Sequence, residues 1–262
     1  MNIIIFITPL KKEGDLEKLI DFYIEENKLL SEETVLHFTQ DILKGLCAIH
    51  ALSIIHRDIK PSSLFLKNNA IVIGDFGISM SLKSLARSDH PHKNSCTISY
   101  DAPEKITNTQ ALNESETKIE SDSTYYKSDI WSLACVIYEL FTLHKAYYGK
   151  NIQIVHDEIV NGRIREIEGS AILRSVLNKM FKKKPELRPS SHDMLIILDK
   201  LISQKNRAEI EIINETIYNN KNLDDDYKDK ALNNGQYIVL NTMGKLNMTY
   251  VVQDLIENKR YI

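Results

Sequence analysis

The strongest constraint on the fold lies in Asp129-Ile130-Trp131-Ser132-Leu133-Ala134-Cys135-Val136-Ile137-Tyr138-Glu139-Leu140-Phe141. At helical pitch this run is apolar almost all round, so it has no face to offer to water. It demands a shell of other elements, and the chain supplies them. Asp15 opens a short helix with Leu16, Leu19, Ile20 and Tyr23 on one face. Ser31 is an N-cap, and Glu32 and Glu33 complement the positive end of the helix it starts. That helix carries Val35, Phe38, Ile42, Leu46 and Ile49 at helical spacing. Three more helices are predicted over Ile152–Val160, Ala171–Phe181 and Ser190–Leu201, with Lys182-Lys183-Lys184-Pro185 closing the second of them. With 262 residues, 43% of them hydrophobic, there is material for one large domain or two small ones. The expected class is mainly α (α+β): a helical domain of roughly 200 residues with one small β-hairpin at its edge.

The hairpin is read from Leu64-Phe65-Leu66 and Ala70-Ile71-Val72-Ile73, joined by the polar turn Lys67-Asn68-Asn69. Arg57, Asp58 and Lys60 precede it, and Asp75 follows it. Strands folded back on each other bring those two ends together, so two carboxylates and a lysine share one mouth. That set suits phosphoryl transfer. The reaction needs a carboxylate to orient and deprotonate a hydroxyl, another to hold a divalent cation, and positive charge on the moving phosphoryl group.

His56-Arg57-Asp58-Ile59-Lys60-Pro61, Asp75-Phe76-Gly77, Ala102-Pro103-Glu104, Asp129-Ile130-Trp131-Ser132 and Arg188-Pro189 occur in that order. Together they resemble eukaryotic protein kinases over roughly residues 1–203, and specifically the C-terminal helical lobe. Lys60, two residues after Asp58, is similar to the serine/threonine branch. Lys127 to Leu140, Thr142-Leu143-His144-Lys145-Ala146, Leu173-Arg174-Ser175-Val176-Leu177 and Phe181 to Pro189 look most like NIMA-related kinases.

The resemblance implies roles. Asp58 would orient the substrate hydroxyl and accept its proton, Lys60 would steady the γ-phosphate, and Thr97 would bridge them near the substrate. Asp75 would bind Mg²⁺ on ATP, with Ser63 at the second metal position. Thr8, Pro9 and Leu10 would be the hinge at the adenine edge, and Phe65 would lie under the ring. Arg57 would pair with a phosphate on the activation segment, for which Ser95 is a candidate. Glu104 and Arg188 would form a buried ion pair, and Asp129 would hold the catalytic-loop backbone. His56, Phe76 and Gly77 belong to the same motifs as packing and turn residues. Asp75 can also be read as a turn residue alone.

The pattern also departs from the family. The resemblance starts at what looks like the last strand before the hinge, and no Gly-x-Gly-x-x-Gly occurs among the nine glycines. A lobe carrying that loop and its lysine would be missing, at a factor of about 10² to 10³ per lost electrostatic contact. Asparagine is expected five residues after Asp58, and the chain has Ser63; strand alternation would point Ser62 to the other face. Cys96 and Ala134 stand where glycines are expected, and Asn108 to Tyr126 reads as a polar surface insertion. Two functional readings follow: an ATP- and Mg²⁺-dependent serine/threonine kinase that is truncated and impaired, or an inactive pseudokinase serving as a protein-interaction scaffold.

The remaining features narrow the setting. A net charge of −3 gives no basis for nucleic-acid or anionic-membrane binding, and no stretch approaches a membrane span. Three widely spaced cysteines fit a reducing intracellular, cytoplasmic compartment. The run Ile3-Ile4-Ile5-Phe6-Ile7 reads as a strand ended by Pro9, not as a signal peptide. His90, His92 and Cys96 are too few donors in a serine-rich loop to suggest a metal site. Residues 204–262 form a second region, with Asn206 to Gly235 weakly ordered, a strand at Tyr237–Leu240 and a short helix at Met248–Ile256.

Overall fold

The computed structural model describes residues 14–81, 98–111, 122–162 and 164–219, and the strands 236–240 and 246–251. The chain divides into two compact units, residues 1–199 and 200–262.

The first unit is built round the helix singled out above. This helix, α4 (Asp122–Thr142), buries every residue from Ser128 to Leu140. Around it lie α1 (Leu16–Glu25), α2 (Glu32–Ala51), α3 (Pro103–Ala111), α5 (Ile152–Asn161), α6 (Ala171–Met180) and the start of α7 (Ser191–Asn219). Asp15, Ser31, Asn151 and Ser170 cap α1, α2, α5 and α6, each accepting a backbone N–H three residues on. Two buried polar side chains of α4 reach outward for partners. Ser132 Oγ donates to the Tyr100 carbonyl at 2.8 Å, and Glu139 accepts from Tyr100 Oη at 2.5 Å. Burial pushes both the Tyr100 hydroxyl and the Glu139 carboxyl up.

The hairpin is β2 (Leu64–Lys67) against β3 (Ala70–Ile73), paired from Leu64↔Ile73 to Lys67↔Ala70. Asn68 and Asn69 have φ of 51° and 61°, as a type I′ turn requires. A second ladder pairs β1 (Ile54–Ile55) with β4 (Met80–Ser81), so the segment expected as loop after Gly77 begins with a strand.

Four expectations need correction. Pro61–Ser63 is a 3₁₀ turn, not the start of the strand, so strand alternation does not govern Ser62 and Ser63. Proline at the first position favours the turn. The polar insertion is partly helical, because α3 runs to Ala111 and α4 begins at Asp122. Helix α7 continues to Asn219, into the stretch expected to be weakly ordered. That stretch holds neither glycine nor proline before Gly235, and Lys205 and Glu209 pair one turn apart at 3.8 Å. In the second unit Met248 lies on a strand, since β5 (Gln236–Leu240) pairs antiparallel with β6 (Leu246–Val251). Met248 to Val251 includes Thr, Tyr and Val, residues that favour strands.

Candidate active site

Asp129 organises the loop that leads to Asp58. It is fully buried at the start of the apolar part of α4. Its Oδ2 accepts from the His56 amide and from His50 Nε2, and its Oδ1 accepts from the Arg57 amide, all at 2.9 Å. Burial alone would raise this carboxyl, but the hydrogen bond and charge of His50 outweigh it and hold Asp129 below the usual carboxylate range. Arg57 is left with φ of 73°, in the left-handed region that a non-glycine residue occupies at a cost of about 1–3 kcal/mol. Burial lowers the affinity of its guanidinium for the proton.

His56 links the two ends of the hairpin. Its ring is fully buried, and Nε2 meets the Gly74 carbonyl at 2.9 Å while Nδ1 lies 3.4 Å from the Asp58 amide. A neutral ring protonated on Nε2 satisfies both contacts. Phe76 stands edge-on to this ring at 4.9 Å. Gly74 N–H donates to the Ser63 carbonyl at 2.9 Å. The structure therefore brings Asp58 and the residue before Asp75 onto one imidazole.

Asp58 and Lys60 form an ion pair of 2.6 Å, with 16% and 19% of their side chains exposed. Asp75 is exposed and left-handed, with φ of 59°. A Cβ on Gly77 would meet Asp75 Oδ1 at 3.4 Å, an ordinary van der Waals distance. Ser63 is fully buried, and its hydroxyl faces the loop. It donates to the carbonyls of Asp58 and Lys60 at 3.0 and 2.9 Å, and it accepts the Lys60 amide at 3.1 Å. The serine thus braces the turn from inside, and its oxygen is committed to backbone groups.

Phe65 is half-buried on β2, which also pairs with Asp15 and takes the Gly14 carbonyl at Leu66 N–H. Arg188 is buried and binds Glu104 with both terminal nitrogens, at 2.7 and 2.6 Å. It also donates to the Lys182, Lys127 and Lys183 carbonyls, at 2.6, 3.0 and 3.0 Å. Its guanidinium lies 5.0 Å from the centre of the Trp131 ring. Thr8, Pro9, Leu10, Ser95 and Thr97 lie outside the described residues.

Sequence reasoning missed His50, Asp101 and Lys105. His50 looks like one more residue of the last turn of α2, yet it joins Asp129 to Ser191 Oγ, 3.1 Å from its Nδ1. Nothing in the local pattern marks it. Lys105 does carry a signal: a cation in the first turn of a helix opposes the macrodipole.

The sequence model of the protein kinase domain matches residues 2–202. The chain belongs to the protein kinase domain family. Its curated relatives include Nek-family serine/threonine kinases. Serine/threonine-protein kinase Nek11 of Homo sapiens is 34% identical over 197 residues, covering 73% of this chain and 28% of its own. Nek1 of Mus musculus is 35% identical over 190 residues, or 70% and 14%. This kinase-family chain therefore spans less than a third of the length of those relatives. In three dimensions it resembles the Rad53 kinase domain with SCD2, at a TM-score of 0.55 and 21% identity over 71% of this chain and 61% of that one. A second Rad53 structure, of residues 1–466 in complex with AMP-PNP, gives 0.54 and 22% over 71% and 44%. These likenesses show the kinase fold. No helix among the described residues is long and apolar enough to cross a membrane.

Proposed function

We propose that the chain carries serine/threonine protein kinase chemistry, with ATP and Mg²⁺ as cofactors and a protein hydroxyl as acceptor. The observation that supports this most is the Asp58–Lys60 pair at 2.6 Å on a loop whose backbone Asp129 and Ser63 hold from two sides. Asp58 takes the proton of the acceptor hydroxyl on its carboxylate, and Lys60 on Oδ2 sets the orientation of that carboxylate. Pre-set orientation is what such a site contributes to a reaction with little covalent chemistry for the protein.

Among the described residues no three His, Cys, Asp or Glu side chains gather as a metal cage. Mg²⁺ does not require such a cage, since it is held by one or two carboxylates together with substrate phosphates. Bound ATP·Mg²⁺ would supply the transferable phosphoryl group and offset its charge. We assign the cation to Asp75, whose exposure at the end of the hairpin supports that role. Thr8–Leu10 and Phe65 are the proposed adenine contacts, and Thr97 completes the acceptor side. We assign a reducing intracellular setting on the odd cysteine count and the free thiols of Cys47 and Cys135.

A second reading, a scaffold without turnover, is favoured by Ser63. With its hydroxyl committed to the backbone, the second metal position lacks a side-chain oxygen. The two readings separate in one assay. The purified chain is incubated with labelled ATP, Mg²⁺ and a generic serine-rich protein. Label transfer that is lost in Asp58→Ala supports the kinase reading. Absence of transfer, together with no ATP·Mg²⁺-dependent thermal shift, supports the scaffold.

A further inference from the structure

The peptide unit that joins Arg57 to Asp58 carries the proposed base. Its N–H side meets His56 Nδ1 at 3.4 Å, longer than an optimal hydrogen bond. Its carbonyl accepts from Lys105 Nζ at 3.1 Å. Lys105 is held in turn by Asp101, four residues earlier and just ahead of α3, at 3.6 Å. Burial raises the Asp101 carboxyl and Lys105 pulls it back. Both side chains are largely shielded, with 21% and 15% exposed.

Lys105 stands in the first turn of α3, where the macrodipole disfavours a cation. Its place is explained by what it reaches. Glu104 and Lys105 are consecutive and reach different anchors, Glu104 the buried Arg188 and Lys105 the catalytic loop. The same turn of helix therefore ties the end of the activation segment to the base of the unit and to the backbone of Asp58. On the other side of Arg57, Asp129 holds the amide. The backbone donor and acceptor of this strained residue are thus each held by an ionised side chain.

We propose that Lys105, steadied by Asp101, is a positioning residue that fixes the Arg57–Asp58 peptide and couples the order of the activation segment to the orientation of Asp58. The link is a charge-assisted hydrogen bond, which carries about a tenfold effect on local opening. The proposal rests on the kinase reading for its meaning, but the tether itself is open to measurement without turnover.

The test compares Lys105→Met, which keeps the stem and removes the charge, with Lys105→Arg, which restores a donor. Amide hydrogen exchange is followed across residues 54–60 in the full chain. The expected result is about tenfold faster exchange in Lys105→Met, return to within about threefold of wild type in Lys105→Arg, and unchanged exchange in α6. Transfer assays should show kcat lowered by about tenfold or more in Lys105→Met, with KM for ATP and protein within about twofold. Unchanged exchange in Lys105→Met, or a Lys105→Arg variant as loose as Lys105→Met, overturns the proposal. If Lys105→Met fails to fold, Asp101→Asn replaces it, with about threefold faster exchange at 54–60 expected and no change refuting the tether. A wild-type chain that transfers no phosphate defeats the kinase reading while the exchange result still decides the tether.

Discussion

Replacing Asp129 with asparagine keeps the shape of the side chain and removes one acceptor. Oδ2 of Asp129 faces two donors and Oδ1 faces one. Either orientation of an amide turns its NH₂ toward a donor. The milder orientation places NH₂ against the Arg57 amide, which loses one hydrogen bond to a charged group and leaves a buried N–H without a partner. Those two effects add to roughly 3–5 kcal/mol. Domains of this size are stable by about 5–15 kcal/mol, so the loss is large but survivable. Released from Asp129, Arg57 also relaxes from its left-handed conformation, and the loop loosens around Asp58. Urea unfolding followed by far-ultraviolet circular dichroism measures the stability, and exchange at His56 and Arg57 measures the loop. A pH series adds a signature. Asp129 sits below its ordinary value of 3.8, so its contribution is present above that value and is lost as pH falls through the folded-state value. Asp129→Asn should lack this acid-side loss. A variant within about 1 kcal/mol of wild type, with His56 and Arg57 still protected, would rule out this role for Asp129.

Three further outcomes follow from the same geometry. Glu104→Gln leaves Arg188 buried without its counter-charge and should cost about 3–5 kcal/mol in urea melts, whereas Glu104→Asp should recover part of it. Ser63→Asn retains a donor for the Asp58 carbonyl and adds an amide oxygen at the second metal position. The Mg²⁺ concentration for half-maximal ATP binding should fall by about tenfold, read by titration with a nucleotide analogue. Glu139 is raised above its ordinary 4.5 by burial, so the native state holds its proton as pH passes that value and loses stability on further rise. Glu139→Gln keeps an acceptor for Tyr100 and should flatten that decline in the urea midpoint measured from pH 4.5 upward.

The parts of this chain that sequence made legible are those where local pattern and long-range packing agree. The apolar run 128–140 is buried throughout because no helix of that composition can keep a wet face. The Asn68–Asn69 turn set the hairpin register, since two residues of positive φ allow little else. The tail is less legible because its polarity suggests weak order, whereas residues 191–219 hold no helix breaker and form a helix. Ser63 is less legible because the apolar run that follows it suggests a strand, whereas Pro61 starts a turn there. The contacts of His50 and Lys105 were not legible for another reason. Their partners Asp129 and Arg57 lie 79 and 48 residues away, and no local periodicity encodes contacts of that range.

The proposed function gives phosphoryl transfer to Asp58 and Asp75, at the two ends that His56 and the hairpin bring together. The most direct measurement is transfer from labelled ATP·Mg²⁺ to a protein acceptor in wild type, Asp58→Asn and Asp75→Asn, run side by side with thermal melts. The expected result is transfer in wild type, a loss of about a hundredfold or more in each variant, and melting temperatures within a few degrees of each other. Equal transfer in all three proteins would contradict it, as would a wild-type chain that binds ATP·Mg²⁺ and transfers nothing.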